Sequence, residues 1–162
     1  MKVQAKLSRR TLLAAAAATL AFAAGGVQAQ EVIKIGYSGP LSGGAALYGK
    51  NVLSGMQMAA AEINAKPLQI GGKNYKVEIV ALDDKYNPAE TGINVQRLIQ
   101  QHKTAAVLVP HSGGIFAVQG MNEKANMLLL AYTSLPQVTE RGNKLTIRIP
   151  PDFTGYIAPF TK

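Results

Sequence analysis

Three features of the sequence predict an α/β fold, with a parallel sheet and helices on both faces. Short apolar runs alternate with amphipathic stretches from residue 32 to residue 150. The connections between them are short. Two of the runs, "AAVLV" (105–109) and "MLLLA" (127–131), are apolar without interruption, as strands buried on both faces are.

The elements follow in order. "VIKIGY" (Val32–Tyr37) is a short β-branched run, hence a strand. Val52, Met56, Ala59, Ala60 and Ile63 then recur at helical spacing and form one apolar stripe. A Gly71-Gly72 turn precedes a second strand over 76–82. "NPAETGINVQRLIQQ" carries its own start signal, with Asn87 as cap, Pro88 at the first helical position and Glu90 three residues after the cap. Val95, Leu98 and Ile99 are its buried stripe. "AAVLVP", "MLLLAY" and "KLTIRI" read as the remaining strands, with "IFAVQGMNEKAN" as a helix between the first two.

Residues 1–29 have the layout of an export signal. Lys2, Lys6, Arg9 and Arg10 precede the alanine-rich core "TLLAAAAATLAFAAGG", and Val27-Gln28-Ala29 offers a small-x-small cleavage site. The arginine pair in "SRRTLL" also fits the twin-arginine route. Removal of this segment leaves 133 residues and halves the net charge from +8 to +4. The remaining lysines are scattered, which argues against nucleic acid as a partner, since that needs a clustered basic face. A chain of this size supports one core. With no cysteine, the core relies on burial alone.

In an open parallel sheet, ligands bind beyond the carboxyl ends of the strands. That rule selects four loops: "SGPLSGGAALYG", "DDKYNP", "PHSGG" and "YTSLP". The glycines in and just before the first, at 36, 39, 43, 44 and 49, match neither a Walker loop nor a dinucleotide loop. Ser112 has a proline where a nucleophile elbow needs glycine, and no His/Asp partners can be assigned to it. Asp83 and Asp84 are adjacent on a strand end, so they point to opposite sides and read as a solvated terminus. Two histidines and no cysteine leave little for a transition-metal site. No catalysis and no cofactor are expected.

What remains is a hydroxyl-rich crevice suited to reversible capture of a small solute. The Ser112 hydroxyl and the Gly113 and Gly114 amides stand at a helix N-terminus, which favours a carboxylate. The carbonyl of Tyr132 and the hydroxyls of Thr133 and Ser134 are acceptors suited to an ammonium. Tyr48 offers a flat apolar face with a polar tip. Each has a purely structural reading too: Ser112 as a helix cap, Ser134 as a turn former, Tyr48 as packing for its helix.

The stretches "IKIGYSGPLSGGAALYGKNVLSGMQMAAAEINA", "YKVEIVALDDKYNPAETGINVQRLI", "SGG", "YTSLPQVTERG" and "IRIPPDFTGY" together resemble, in order, the amino-terminal lobe of the type I solute-binding proteins. The branch is the leucine/isoleucine/valine-binding group of ABC importers. The resemblance implies a periplasmic receptor whose two lobes close on an amino acid or related solute, with a membrane permease as partner. It implies residues 30–150 as the first lobe and 151–162 as the start of a crossover to a second lobe that this chain lacks, as a gene fragment would. By position, Ser112 and its neighbouring amides match the carboxylate-binding site, Tyr132 and Ser134 the ammonium-binding positions, and Tyr48 the pocket wall. Asp152 resembles an acid that also meets the ammonium. Members of the group often have a small residue where Tyr132 stands, so the solute can equally be an amide, a urea-like compound, an aromatic acid or another amino acid. Two other readings remain: a sensory domain of the same fold and an exported α/β hydrolase.

Overall fold

The computed structural model describes residues 31–66 and 68–157. The expected export signal lies outside the described residues. Six strands form one sheet in the order β2-β3-β1-β4-β5-β6: β1 (Glu31–Gly39), β2 (Leu68–Ile70), β3 (Lys73–Asp83), β4 (Ala106–Val109), β5 (Leu128–Ala131) and β6 (Thr146–Arg148). All neighbours run parallel except β2, which pairs antiparallel with β3. The sheet is therefore mixed rather than wholly parallel. Gly71 and Gly72 make that hairpin possible, because both adopt positive φ (57° and 79°) that residues with a Cβ reach only with strain.

Helix α1 (Ala46–Asn64) follows β1, α2 (Pro88–Arg97) follows β3, and α3 (Ser112–Lys124) follows β4. Two short helices come later, α4 (Gln137–Glu140) and α5 (Phe153–Ile157). The start of α2 is as the sequence predicts. Asn87 is extended and its side chain accepts from the amides of Ala89 (2.8 Å) and Glu90 (3.4 Å), with Pro88 opening the helix. The end of α2 differs. A single π turn over Leu98–His102 closes it, and Lys103 turns left-handed (φ 55°).

The two faces of the sheet are covered unequally. Val107, Val109, Leu129 and Ala131 alternate onto one face, where they form the core with Val95 of α2, Leu98 of the π turn that closes it, and Ile115 and Val118 of α3. Ile35, Val77, Ile79, Leu108 and Leu130 alternate onto the other face, under the predicted stripe of α1. Only Ala60 of that stripe is buried, and Ile63 is 43% exposed. An apolar groove runs between α1 and the sheet as a result. Asn64 holds α1 in place by donating to the Val77 carbonyl and accepting from the Val77 amide, both at 2.8 Å. Those groups lie past the end of the short β2 pairing, so a side-chain amide satisfies the edge of β3 that no strand covers.

Candidate functional site

Register brings the strand ends to one edge. Gly39 pairs with Asp83, and Val109 with Ala131. The Tyr132 amide donates to the Val109 carbonyl at 3.1 Å and so holds the loop after β5 beside the loop after β4. Between these loops lies an open cleft of about 270 Å³. Five of the residues predicted from sequence line it: Tyr48, Ser112, Tyr132, Thr133 and Ser134. Gly113 sits next to Ser112 in the first turn of α3. A Cβ there would lie 2.9 Å from Pro88 Cγ, so the close approach of α2 favours glycine.

Asp152 stands apart from the cleft lining. Its carboxylate accepts from Thr154 Oγ1 (2.5 Å), the Gly155 amide (3.0 Å) and the Arg148 guanidinium (3.0 Å). It caps α5 and pairs with an arginine, and the same bonds hold its carboxyl below the ordinary carboxylate value, with Thr154 the main contributor.

The opening glycine loop wraps around an acid of its own chain. Asp83 accepts from the Leu41 amide (2.8 Å), Ser42 Oγ (2.5 Å) and the Lys85 amide (2.9 Å). A loop whose donors already face a carboxylate is not arranged to receive a phosphate. Tyr48 at its far end donates its hydroxyl to the Pro110 carbonyl at 2.6 Å. The hydroxyl thus ties α1 to the loop after β4, and the ring forms one wall of the cleft.

The cap of α3 differs from expectation. His111 is extended (φ −149°, ψ 144°), and its Nδ1 accepts from the Gly114 amide at 3.0 Å. Ser112 is thereby free of capping, and its Oγ lies 2.8 Å from Thr133 Oγ1. The Gly114 amide, expected to face a solute, is already bonded. Among the described residues the amides of Ser112 and Gly113 make no hydrogen bond. The other nitrogen of His111, Nε2, faces Asp84 Oδ2 at 3.0 Å. With both ring nitrogens so engaged, neither serves Ser112 as a base.

Asp84 corrects the reading of a solvated strand terminus. It is fully buried, while Asp83, pointing the other way, is partly exposed. Burial pushes the Asp84 carboxyl up, but hydrogen bonds from His111, the Tyr86 amide and Thr91 outweigh it and hold the group below the ordinary carboxylate value. Sequence reasoning also missed Tyr86 and His111 as cleft residues, although both fall in selected loops. Tyr86 stacks on the His111 ring with centroids 4.6 Å apart. Three tyrosines, at 48, 86 and 132, therefore flank the cleft, and no Asp or Glu among the described residues lines it. Among the described residues, no three His, Cys, Asp or Glu side chains group as a metal site would require, and no helix is long and apolar enough to cross a membrane.

The cleft lies at the carboxyl edge of the sheet, where open α/β folds bind small ligands, and its hydroxyls and aromatic rings are groups of the kind that hold such ligands. The periplasmic binding protein family profile matches residues 32–158, and the chain belongs to that family. It is 34% identical over 141 residues to an amino acid binding protein of Pseudomonas aeruginosa, an alignment covering 85% of this chain and 36% of the relative. In structure it is similar to a possible leucine/isoleucine/valine-binding protein from Rhodopirellula baltica SH 1, with a TM-score of 0.72, 26% identity, and coverage of 85% of this chain and 36% of the other. It is also similar to an ABC transporter solute binding protein from Rhodopseudomonas palustris HaA2 in complex with p-hydroxybenzoic acid, with a TM-score of 0.69, 26% identity, and coverage of 80% and 34%. The chain spans about a third of the length of the relatives it matches.

Proposed function

We propose that this chain is the first lobe of a periplasmic solute receptor that serves an ABC importer and hands its solute to a membrane permease. The observation that carries this reading is that Ser112, Thr133 and Ser134, from two separate loops, line one cleft beside the unbonded amides of Ser112 and Gly113. A carboxylate fits there: it would accept from the two amides and from the hydroxyls, with the partial positive charge of α3 behind it. An amino acid would place its ammonium toward the Tyr132 carbonyl and the Ser134 hydroxyl.

A second reading concerns the solute. Tyr48, Tyr86 and Tyr132 offer three aromatic faces, and no acid among the described residues lines the cleft to balance an ammonium. Asp152 already has three donors on its carboxylate. These features favour a solute with a carboxylate and an aromatic ring, like the p-hydroxybenzoic acid bound by the R. palustris relative. Titration of the 15N-labelled chain with L-leucine, L-phenylalanine and p-hydroxybenzoate decides between them. Saturable shifts of the Ser112, Gly113 and Thr133 amides support the cleft as the binding site. No shift with any of a full amino-acid and aromatic-acid panel overturns it.

A further inference from the structure

We propose that Asp84 and His111 form a positioning pair that fixes the Ser112 and Gly113 amides at the head of α3, and so aligns the cleft for an anionic solute. The role in solute binding rests on the reading of the cleft given above; the positioning itself does not.

The protons in this pair are set by its neighbours. The Gly114 amide can only donate, so Nδ1 of His111, 3.0 Å away, carries the lone pair. Asp84 Oδ2, 3.0 Å from Nε2, then accepts the proton that Nε2 must carry. Every other polar contact of the Asp84 carboxylate can donate to it: Ser38 Oγ at 3.1 Å, the Tyr86 amide at 2.9 Å and Thr91 Oγ1 at 2.9 Å, the last also 3.0 Å from the Asn87 carbonyl and 3.3 Å from His111 Nε2. Asn94 Nδ2 faces Ser38 Oγ at 3.4 Å and turns the Ser38 proton toward Asp84. The result is an ionised carboxylate with no exposed surface, beside an imidazole that is 4% exposed.

Four parts of the fold meet at this carboxylate: β1 through Ser38, the loop leaving β3 through Asp84 itself, α2 through Thr91, and the head of α3 through His111. The space is close-packed. A Cβ on Gly114 would lie 2.6 Å from His111 Cε1 and 2.8 Å from Thr91 Oγ1. Lys85 and Tyr86 both take left-handed backbone angles (φ 54° and 64°), which are strained for residues with a Cβ. Asp83 and Asp84 hold that turn by accepting from the two amides, and the turn lays the Tyr86 ring on the imidazole. A cap residue chosen only to start a helix needs none of this. Serine or asparagine would do it unaided.

The test uses the full chain labelled with 15N, near neutral pH and without solute. The imidazole nitrogen shifts of His111 are expected to report a proton on Nε2 and none on Nδ1. Asp84→Asn puts an NH₂ among donors whichever way the amide lies. It is expected to mix the tautomers and to move the Ser112, Gly113 and Gly114 amide resonances while leaving Val77 in place. His111→Asn keeps a cap for Gly114 but cannot reach Asp84. It is expected to shift Ser112 and Gly113 and to weaken p-hydroxybenzoate and L-leucine about tenfold. A proton on Nδ1 in the wild-type chain overturns the proposal, and this reading stands even if Asp84→Asn does not fold. Unmoved Ser112 and Gly113 amides in His111→Asn overturn it too. Should the wild-type chain bind neither solute, the cleft reading falls, and the tautomer and amide shifts still decide the positioning pair.

Discussion

The hydroxyls of Ser112 and Thr133 lie 2.8 Å apart and join the head of α3 to the loop after β5. Either oxygen can donate, so the pair can turn its free proton toward an incoming acceptor without losing the link. Ser112→Ala and Thr133→Val each remove one partner from a half-buried bond and are expected to cost about 0.5–1.5 kcal/mol of stability. Their effects should be less than additive, because both remove the same bond, although Thr133→Val also removes the acceptor of the Leu135 amide (3.4 Å). Chemical denaturation of the two single variants and the double variant measures this. Solute affinity should fall roughly tenfold in Ser112→Ala, as loss of a hydrogen bond to a charged group requires.

The buried Asp84 makes stability depend on pH. Its carboxyl titrates lower in the folded chain than in the unfolded one, so its contribution is complete above the ordinary carboxylate range, about pH 4. It fades as pH falls below that range and is gone once the folded group protonates. Denaturation midpoints should therefore drop on acidification from neutral pH, and more in the wild type than in Asp84→Asn. At neutral pH the variant should be destabilised by about 1–3 kcal/mol, the usual cost of leaving buried donors without their acceptor. Equal pH profiles for the two chains would contradict this assignment.

Two glycines of α1 make opposite predictions. Tyr37 donates to the Gly49 carbonyl at 2.8 Å, and a Cβ on Gly49 would collide with the Pro40 carbonyl oxygen. Gly49→Ala must push the glycine loop off the helix and is expected to cost at least 2 kcal/mol, roughly the cost of overpacking. Gly55 lies on the same helix, and a Cβ there meets nothing within 4 Å. Gly55→Ala should stabilise by about 0.5–1 kcal/mol through helix propensity and a less disordered unfolded chain. Thermal melts of the two variants should move in opposite directions.

What the sequence reveals here follows from how local each cause is. The cap at Asn87, the turn at Gly71-Gly72 and the unbroken apolar strands β4 and β5 depend on neighbours a few residues away, and each can be read directly, whereas the short antiparallel strand β2 before that turn cannot. The opposed directions of Asp83 and Asp84 follow from the pleat. Which of the two turns inward does not, because the answer lies 27 residues on, at His111. The same distance hides the cap of α3: Ser112 is the ordinary choice for a cap, and only the buried acid makes histidine the better one. The α1 stripe predicts a face against the sheet, yet periodicity cannot say how completely that face is covered.

Tyr132 separates the two readings of the solute. Its ring is 38% exposed and borders both the polar cleft and the apolar groove lined by Val52, Met56, Leu108 and Ile149. Its backbone amide, bonded to Val109, and its carbonyl are unaffected by truncation, so Tyr132→Ala removes the ring and leaves the backbone acceptor. Stacking against an aromatic solute amounts to about 0.5–1.5 kcal/mol, so p-hydroxybenzoate should bind roughly twofold to tenfold more weakly. A branched aliphatic amino acid loses no stacking and gains room, and its affinity should hold or rise. Competition titration of wild type and variant with p-hydroxybenzoate and L-leucine gives the comparison in one experiment. If leucine weakens while the aromatic acid is unchanged, the ring serves the aliphatic solute, and the aromatic reading of the cleft is wrong.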